Sequence, residues 1–366
     1  MEERRMILKM IEDGKITAEE GLKLLEATNN RTQEEENSSR SEVSTEVKWE
    51  EGDSYRSKHR EESVESQLSK LTGIFDSAIQ KIKDVDLDFN FGPHVVMDHI
   101  YQHQGRPPKS LAISLENGSL TLVPWDESDV RVECQAKVYR VKNTDEARRR
   151  FFNESTFFVD DDKLCFETKV KSIKMEATMY VPRSHYEYIK VHTFNGKLKG
   201  ESISCDTLEA STVNGPIETD GVIAKKASLE TVNGKIVCEK GQIQVLDAKT
   251  FTGEISVMGP VQDADIETVN GNISFAIDAL TEPGYVDVKA ATGSVELLVS
   301  KDIRVEGKLK TNVGSLVNKL TDSEVVNEKK EMAQRFLQFI GNGEKSARVK
   351  LTAGTNTGTI SVRDAT

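Results

Sequence analysis

Hydrophobic and polar positions fall into a repeating register over the second half of the chain. Thr193-Phe194-Asn195-Gly196 returns as Thr212-Val213-Asn214-Gly215, Thr231-Val232-Asn233-Gly234, Thr250-Phe251-Thr252-Gly253 and Thr268-Val269-Asn270-Gly271, in steps of 19, 19, 19 and 18 residues. Weaker copies follow at Ala290-Ala291-Thr292-Gly293, Thr311-Asn312-Val313-Gly314 and Thr355-Asn356-Thr357-Gly358. Two residues after each glycine stands an aliphatic side chain: Leu198, Ile217, Ile236, Ile255, Ile273, Val295, Leu316 and Ile360. Four and two residues before the threonine position lie Ile189/Val191, Leu208/Ala210, Ala227/Leu229, Leu246/Ala248, Ala264/Ile266 and Val286/Val288. A spacing of two puts these residues and the threonine on one face of a strand.

Each unit therefore predicts one coil of a single-stranded parallel β-helix, a solenoid of ~19-residue coils. The alternative is an antiparallel β meander or sandwich, since Asn-Gly is also a strong hairpin signal. Stacked coils explain why a threonine recurs in one register, whereas a meander needs only alternation of faces. Asn195, Gly196, Asn214, Gly215, Asn233, Gly234, Gly253, Asn270 and Gly271 then mark the corners. A second set, Gly200, Gly221, Gly241, Gly259, Gly284 and Gly307, marks the other side of most units. Two interruptions predict helical excursions: 144–152, capped by Thr144 or Asn143, and 327–340, with Met332, Phe336, Leu337 and Ile340. Both are placed to cover open ends of the array. The β domain so delimited runs over 85–366.

The N-terminal third has other periods. Within 1–28, Met6, Ile7, Met10 and Ile11 form one helical face, Asp13-Gly14 ends it, and Thr17 with Glu20 opens a second helix bearing Leu22, Leu24 and Leu25. Such a hairpin is too small to bury its own core and calls for a partner, self-association or a membrane surface. Residues 29–62 are polar and aperiodic, a disordered linker with Trp49 and Tyr55 inside it. Over 63–84, Leu68, Leu71, Phe75, Ala78, Ile79 and Ile82 recur at three- and four-residue steps among charges of both signs. That amphipathic helix either packs on the end of the β domain or meets a membrane or a partner's groove. The candidate binding faces are Met6, Met10, Leu22, Leu25, Leu68, Leu71, Phe75 and Ile79.

Composition narrows the function. A net charge of −12 argues against nucleic acid as a partner. Cys134, Cys165, Cys205 and Cys238 are scattered and read as buried small hydrophobes of a reducing compartment. His94, His99 and His103 lie in a stretch between Gly92-Pro93 and Pro107-Pro108 that reads as a connector; on a helix His99 and His103 would make half a metal site, with no third ligand set. Asp160-Asp161-Asp162 lacks the glycine and glutamate of a calcium loop and reads as a solvated turn. Glu209, Glu218, Glu230 and Glu267 are interspersed with lysines as on a solvated face, not paired as in a glycosidase. The expectation is no enzyme, no cofactor and no metal. Lacking an apolar leader or an 18-residue apolar run, the sequence predicts a cytoplasmic, membrane-associated protein, with signal-peptide-independent display at the cell surface as the alternative.

The segment ILKMIEDGKITAEEGLKLLEA, from Ile7 to Ala27, and the T-x-N-G ladder preceded by Tyr180-Val181-Pro182 together resemble the YvlB/LiaX family of low-GC Gram-positive bacteria. That family joins a SHOCT-like module to a DUF4097 domain of candidate adhesins, and the resemblance spans almost the whole chain. It implies a β-helical domain and a role in the cell-envelope stress response. In LiaX-type relatives the helical module is linked to sensing membrane-active antimicrobial peptides and the β domain to restraining the response; no catalytic residues come with the family. The function so implied is that of a non-enzymatic sensor or modulator, with an envelope-stress membrane protein, an antimicrobial peptide, lipid or a membrane surface as partner. A surface adhesin binding polysaccharide or a host ligand is the alternative, ahead of a polysaccharide-acting enzyme.

Overall fold

The computed structural model describes residues 92–278, 283–331 and 334–365. The segments 1–28, 29–62 and 63–84, and with them Met6, Met10, Leu22, Leu25, Leu68, Leu71, Phe75 and Ile79, lie outside the described residues. Among the described residues the chain forms 24 strands and one helix. It opens with β1 (His94–His103), β2 (Ser110–Trp125), β3 (Val130–Tyr139), helix α1 (Thr144–Glu154), β4 (Ser155–Asp160), β5 (Lys163–Thr168) and β6 (Ile173–Pro182). Long and short strands then alternate: β7 (His185–Asn195) and β8 (Leu198–Glu201), β9 (Ser204–Asn214) and β10 (Ile217–Asp220), β11 (Ile223–Asn233) and β12 (Ile236–Glu239). The pattern goes on through β13 (Gln242–Thr252) and β14 (Ile255–Met258), β15 (Val261–Asn270) and β16 (Ile273–Ile277), β17 (Gly284–Thr292) and β18 (Val295–Val299). The chain closes with β19 (Ile303–Val313), β20 (Leu316–Lys319), β21 (Ser323–Lys330), β22 (Arg335–Gly341), β23 (Ala347–Thr357) and β24 (Ile360–Asp364).

Neighbouring coils pair in parallel, which sets the antiparallel alternative aside. Long strands stack in one ladder, with Thr193, Thr212, Thr231, Thr250 and Thr268 in successive register. Short strands stack in a second, with Ile217, Ile236, Ile255, Ile273 and Val295 in register. The inward residues of both ladders form a single buried cluster.

The threonine column has a specific cause. Each buried hydroxyl donates to the carbonyl of the corner glycine one coil back: Thr212 to Gly196 at 3.3 Å, Thr231 to Gly215 at 3.0 Å, Thr250 to Gly234 at 3.0 Å. That carbonyl is also why the corner is glycine. A Cβ on Gly215 would sit 1.9 Å from the Gly196 oxygen, and one on Gly253 1.9 Å from the Gly234 oxygen. Only a residue without a side chain lets the coils approach to ladder spacing. The asparagine column is tied likewise, Asn214 Nδ2 donating to Asn195 Oδ1 at 2.8 Å and Asn233 Nδ2 to Asn214 Oδ1 at 3.0 Å.

Spatial and chain order part company at both ends. The first half of β2 pairs with β5 on one side and β7 on the other, and its second half with β6 and β8. A single strand thus makes a whole coil, wedged between one formed later (β5–β6) and the start of the regular array. Leu115-Glu116-Asn117-Gly118 occupies the corner register there, Asn117 opposite Asn195. At the other end β23 and β24 insert between β17–β18 and β19–β20, so the last coil in sequence is not the last in space.

Three sequence expectations need correction. The described residues of 327–340 are not helical: β21 and β22 pair antiparallel, and β22 pairs antiparallel with β19. Phe336, Leu337 and Ile340 fit a helical period, but Leu337 and Phe339, two apart, are the side chains buried, and β22 satisfies the backbone edge of β19. Met332 lies outside the described residues. Gly307 and Gly200 are not corners but lie within β19 and β8; at Gly307 the Phe339 ring fills the place of a side chain, a Cβ falling 2.2 Å from its Cε1. Finally, the histidine stretch is the ten-residue strand β1, paired antiparallel to β3. Helix α1 does stand at the first excursion. Asn143 caps it, its Oδ1 accepting from the Glu146 amide at 2.9 Å, and Ala147 and Phe151 are buried. It packs on β1, β3 and β4 at the N-terminal end.

Candidate binding face

The short-strand ladder widens toward the N-terminal end, where β1, β3, β6 and the second half of β2 lie side by side. Antiparallel pairing of β1 with β3 and of β3 with β6, then parallel pairing of β6 with β2, lines outward side chains into rows. Asp98, Gln135, Glu176 and Ser119 form one row; Ile100, Glu133, Thr178 and Thr121 form the next, continued by Lys199 of β8. Gln102, Arg131, Tyr180 and Val123 follow, with Trp125 beyond. A shallow, open groove of about 990 Å³ lies over the first two rows.

The groove wall is pre-set by its own contacts. Gln135 Nε2 donates to Asp98 Oδ1 at 3.0 Å, and Arg131 lies 2.7 Å from Glu133 Oε1. Trp125 and Tyr180 pack together with ring centroids 5.3 Å apart and their planes tilted by 31°. The indole is pinned by Nε1 donating to the Asp129 carbonyl at 2.9 Å, and Asp129 also accepts from Gln102. Both rings are half-buried and keep part of their surface to solvent.

The inner side holds the floor rigid. Ser155 Oγ donates to the Phe151 carbonyl at 2.6 Å, which leaves Tyr101 to donate its hydroxyl to Ser155 at 2.7 Å. Burial pushes the Tyr101 phenol up to about 12. His99 packs edge-on against Tyr101, Phe151 and Phe152, and burial, then the nearby Arg148 charge, holds its pKa below the usual imidazole value. Cys134 faces the same interior; burial pushes its thiol up to about 12, making it a core side chain rather than a nucleophile. Cys205 and Cys238 are buried likewise and Cys165 is half-buried, all with free thiols. Chemically, the outer face offers acceptors, donor–acceptor hydroxyls, an amide and an apolar aromatic surface.

Of the sequence-selected residues that the structure describes, the corner residues lie elsewhere and only His99 borders this face. The corner residues Asn195, Gly196, Asn214, Gly215, Asn233, Gly234, Gly253, Asn270 and Gly271 sit at the turns from long to short strands, where the column bonds engage them. His99 and His103 share a face of a strand rather than of a helix, about 13 Å apart along it. Asp160–Asp162 is the turn from β4 to β5, where Lys109 holds the Asp162 carboxyl below the usual range. Three of the four dispersed glutamates are lysine-paired, Glu209 with Lys190 at 3.1 Å, Glu218 with Lys197 and Lys235, and Glu267 with Lys289 at 3.4 Å; at half-buried Glu230, burial and then the Asp247 charge push the carboxyl up. Among the described residues no group of three or more His, Cys, Asp or Glu could hold a metal ion, and no helix is long and apolar enough to cross a membrane. The groove escaped sequence reasoning because its residues come from four separate strands; the available signal was Trp125 and Tyr180 alternating with polar residues on strands.

The family model described as Toastrack DUF4097 matches residues 109–363, and a SHOCT-like domain model matches residues 2–31. The uncharacterized protein YvlB of Bacillus subtilis (strain 168) is 33% identical over 362 residues, 99% of this chain and 98% of its own length. Among solved structures, a candidate adhesin from Bacteroides fragilis aligns over 73% of this chain and 97% of its own with 12% identity and a TM-score of 0.36. A candidate lipid-binding protein from Parabacteroides distasonis aligns over 74% and 97% with 10% identity and a TM-score of 0.34. The chain therefore belongs to the Toastrack DUF4097 family, in its YvlB-like form with a SHOCT-like domain ahead of the β body.

Proposed function

We propose that the protein is a non-enzymatic, adhesin-like binding protein of the cell envelope that senses or modulates envelope stress. The observation that carries the reading is the shallow, open depression over β1, β3, β6 and β2, lined by polar side chains on a hydrogen-bonded β body. Glu209, Glu218 and Glu267 on the ladders are each paired with a lysine rather than set as two carboxylates across a cleft, which supports binding over catalysis. The SHOCT-like domain is too short to bury a core alone. In this reading it engages an envelope-stress membrane protein, an antimicrobial peptide or the lipid surface, while the β body is the scaffold and regulatory part. The proposed site of action is the cytoplasmic side of the membrane.

The test is crosslinking and affinity capture from cells under envelope stress, with the full chain and with a chain lacking residues 1–62. An envelope protein or membrane lipid captured by the first and lost from the second is the expected result. Capture of neither, with no association to anionic vesicles or cationic peptides, overturns the reading. Recovery of the protein on the cell surface in fractionated cells would shift it to the adhesin alternative.

A further inference from the structure

We propose that the outward face formed by β1, β3, β6 and the second half of β2 binds an uncharged oligosaccharide, its pyranose units seated on the Trp125–Tyr180 pair and along the groove beside it. The inference goes beyond the reading above, in which the β body is a scaffold, by giving that body a ligand of its own.

Three features select this ligand class. The first is the juxtaposition of stacking and polar surface on one face. Tyr180 lies two residues beyond Thr178 on β6, and Val123 and Trp125 follow Ser119 and Thr121 on β2, so the aromatic pair stands on the same outward face, beyond the residues that line the groove. A pyranose has an apolar C–H face and a rim of hydroxyls, and this surface offers an aromatic platform next to a hydroxyl-reading wall. The second is the polar inventory. Glu176 and Asp98 accept, Gln135 both donates and accepts, and Ser119, Thr121 and Thr178 do either. Vicinal hydroxyls, each both donor and acceptor, are met by such mixed partners.

The third feature is charge. Arg131 pairs with Glu133 and Gln135 donates to Asp98, so two of the face's carboxylates are partly satisfied before any ligand arrives. They still repel an acidic polymer, which argues for an uncharged chain. From the row of Asp98 to the row of Gln102 the face runs four residues along β1, about 13 Å at strand rise. The groove and platform together thus accommodate a short oligomer rather than a single sugar.

The experiment uses the full chain and a panel of uncharged trisaccharides (chitotriose, cellotriose, maltotriose and mannotriose), with trigalacturonate as the acidic counterpart. Binding is read by calorimetry and by the fluorescence of Trp125 in a Trp49→Phe background, the chain having two tryptophans. At least one neutral trisaccharide is expected to bind and to perturb Trp125, with trigalacturonate weaker. Glu176→Gln and Thr178→Val, both on the outer face, should each weaken it by about tenfold. Trp125→Ala should abolish it, with Trp125→Phe, which keeps a ring, retaining part. Far-ultraviolet circular dichroism and unchanged melting separate lost binding from lost fold, and the Glu176→Gln result stands if Trp125→Ala fails to fold. No binding by any neutral trisaccharide, or binding indifferent to Glu176→Gln and Trp125→Phe, overturns the proposal. Loss of the oligosaccharide with envelope capture intact refutes this site alone; loss of capture with the oligosaccharide bound refutes the broader reading alone.

Discussion

At the residue scale, two columns hold the array together, and each makes a prediction. Thr231→Val removes the hydroxyl that satisfies the Gly215 carbonyl and keeps the shape. The expected cost is about 1–2 kcal/mol in chemical denaturation, the penalty for one buried unsatisfied acceptor. Nature has made the comparable change at Ala290, which occupies the threonine register opposite Thr268. Gly215→Ala, by contrast, puts a methyl group inside the Gly196 carbonyl and should prevent the coil from forming, seen as loss of soluble protein. A third column, Asp247, Asp265 and Asp287, faces outward in register. Burial first, then Glu267, pushes the Asp265 carboxyl up to about 6, against the partial relief of Lys289 and Lys249. The folded state thus holds this proton better than the unfolded chain, whose value is near 3.9. The stabilisation is complete below that value and is lost as pH rises through about 6. Asp265→Asn should therefore melt higher than the parent at pH 7.5, with the difference shrinking toward pH 4. A constant difference across that range would sink the assignment.

At the element scale, legibility in the sequence followed repetition. Thr, Asn and Gly columns were readable because every regular coil meets the same two neighbours and so needs the same side chains. The β2 coil was missed: Leu115 stands in the threonine register, and only Asn117-Gly118 with Leu120 two residues on marks the corner. The β21–β22 hairpin read as a helix because Phe336, Leu337, Phe339 and Ile340 are compatible with both periods over so short a run. What decides is tertiary: Phe339 must cover Gly307, a pairing invisible locally. The candidate face was illegible for the same reason, since chain crossing at the N-terminal end is what makes β1, β3, β6 and β2 neighbours. Phe339→Ala should cost about 3–5 kcal/mol, leaving a cavity against a residue with no side chain to fill it. Gly307→Ala in the same background should recover part of that loss, by a double-mutant cycle in urea. Additive losses would show that the two positions do not share one space.

At the scale of the whole β body, interleaved ends change how the array should unfold. A simple solenoid is a chain of nearest-neighbour contacts and frays from its termini. Here each end coil is locked by a segment distant in sequence: β2 lies between β5–β6 and β7–β8, and β23–β24 between β17–β18 and β19–β20. Releasing the terminal β19–β20 coil does not free the C-terminus, because β23–β24 is still held on β17–β18; releasing β23–β24 strips a neighbour from coils on both sides. Fraying thus exposes two ladder edges where an ordinary solenoid would expose one, and the cost rises accordingly. Native-state hydrogen exchange is the direct measure. The amides of β23 and of the first half of β2 should exchange with the same free energy as those of β11 and β13 in the middle, through one global opening. A protection gradient falling steadily from β11 to β23 would mean that the interleaving confers no cooperativity. Chain ends truncated after residue 343 sharpen the contrast: the remaining body should lose its single transition and aggregate through the exposed edges of β17 and β19. Added peptide 344–366 should restore both the transition and solubility, since the slot it fills is defined on both sides by strands already in register.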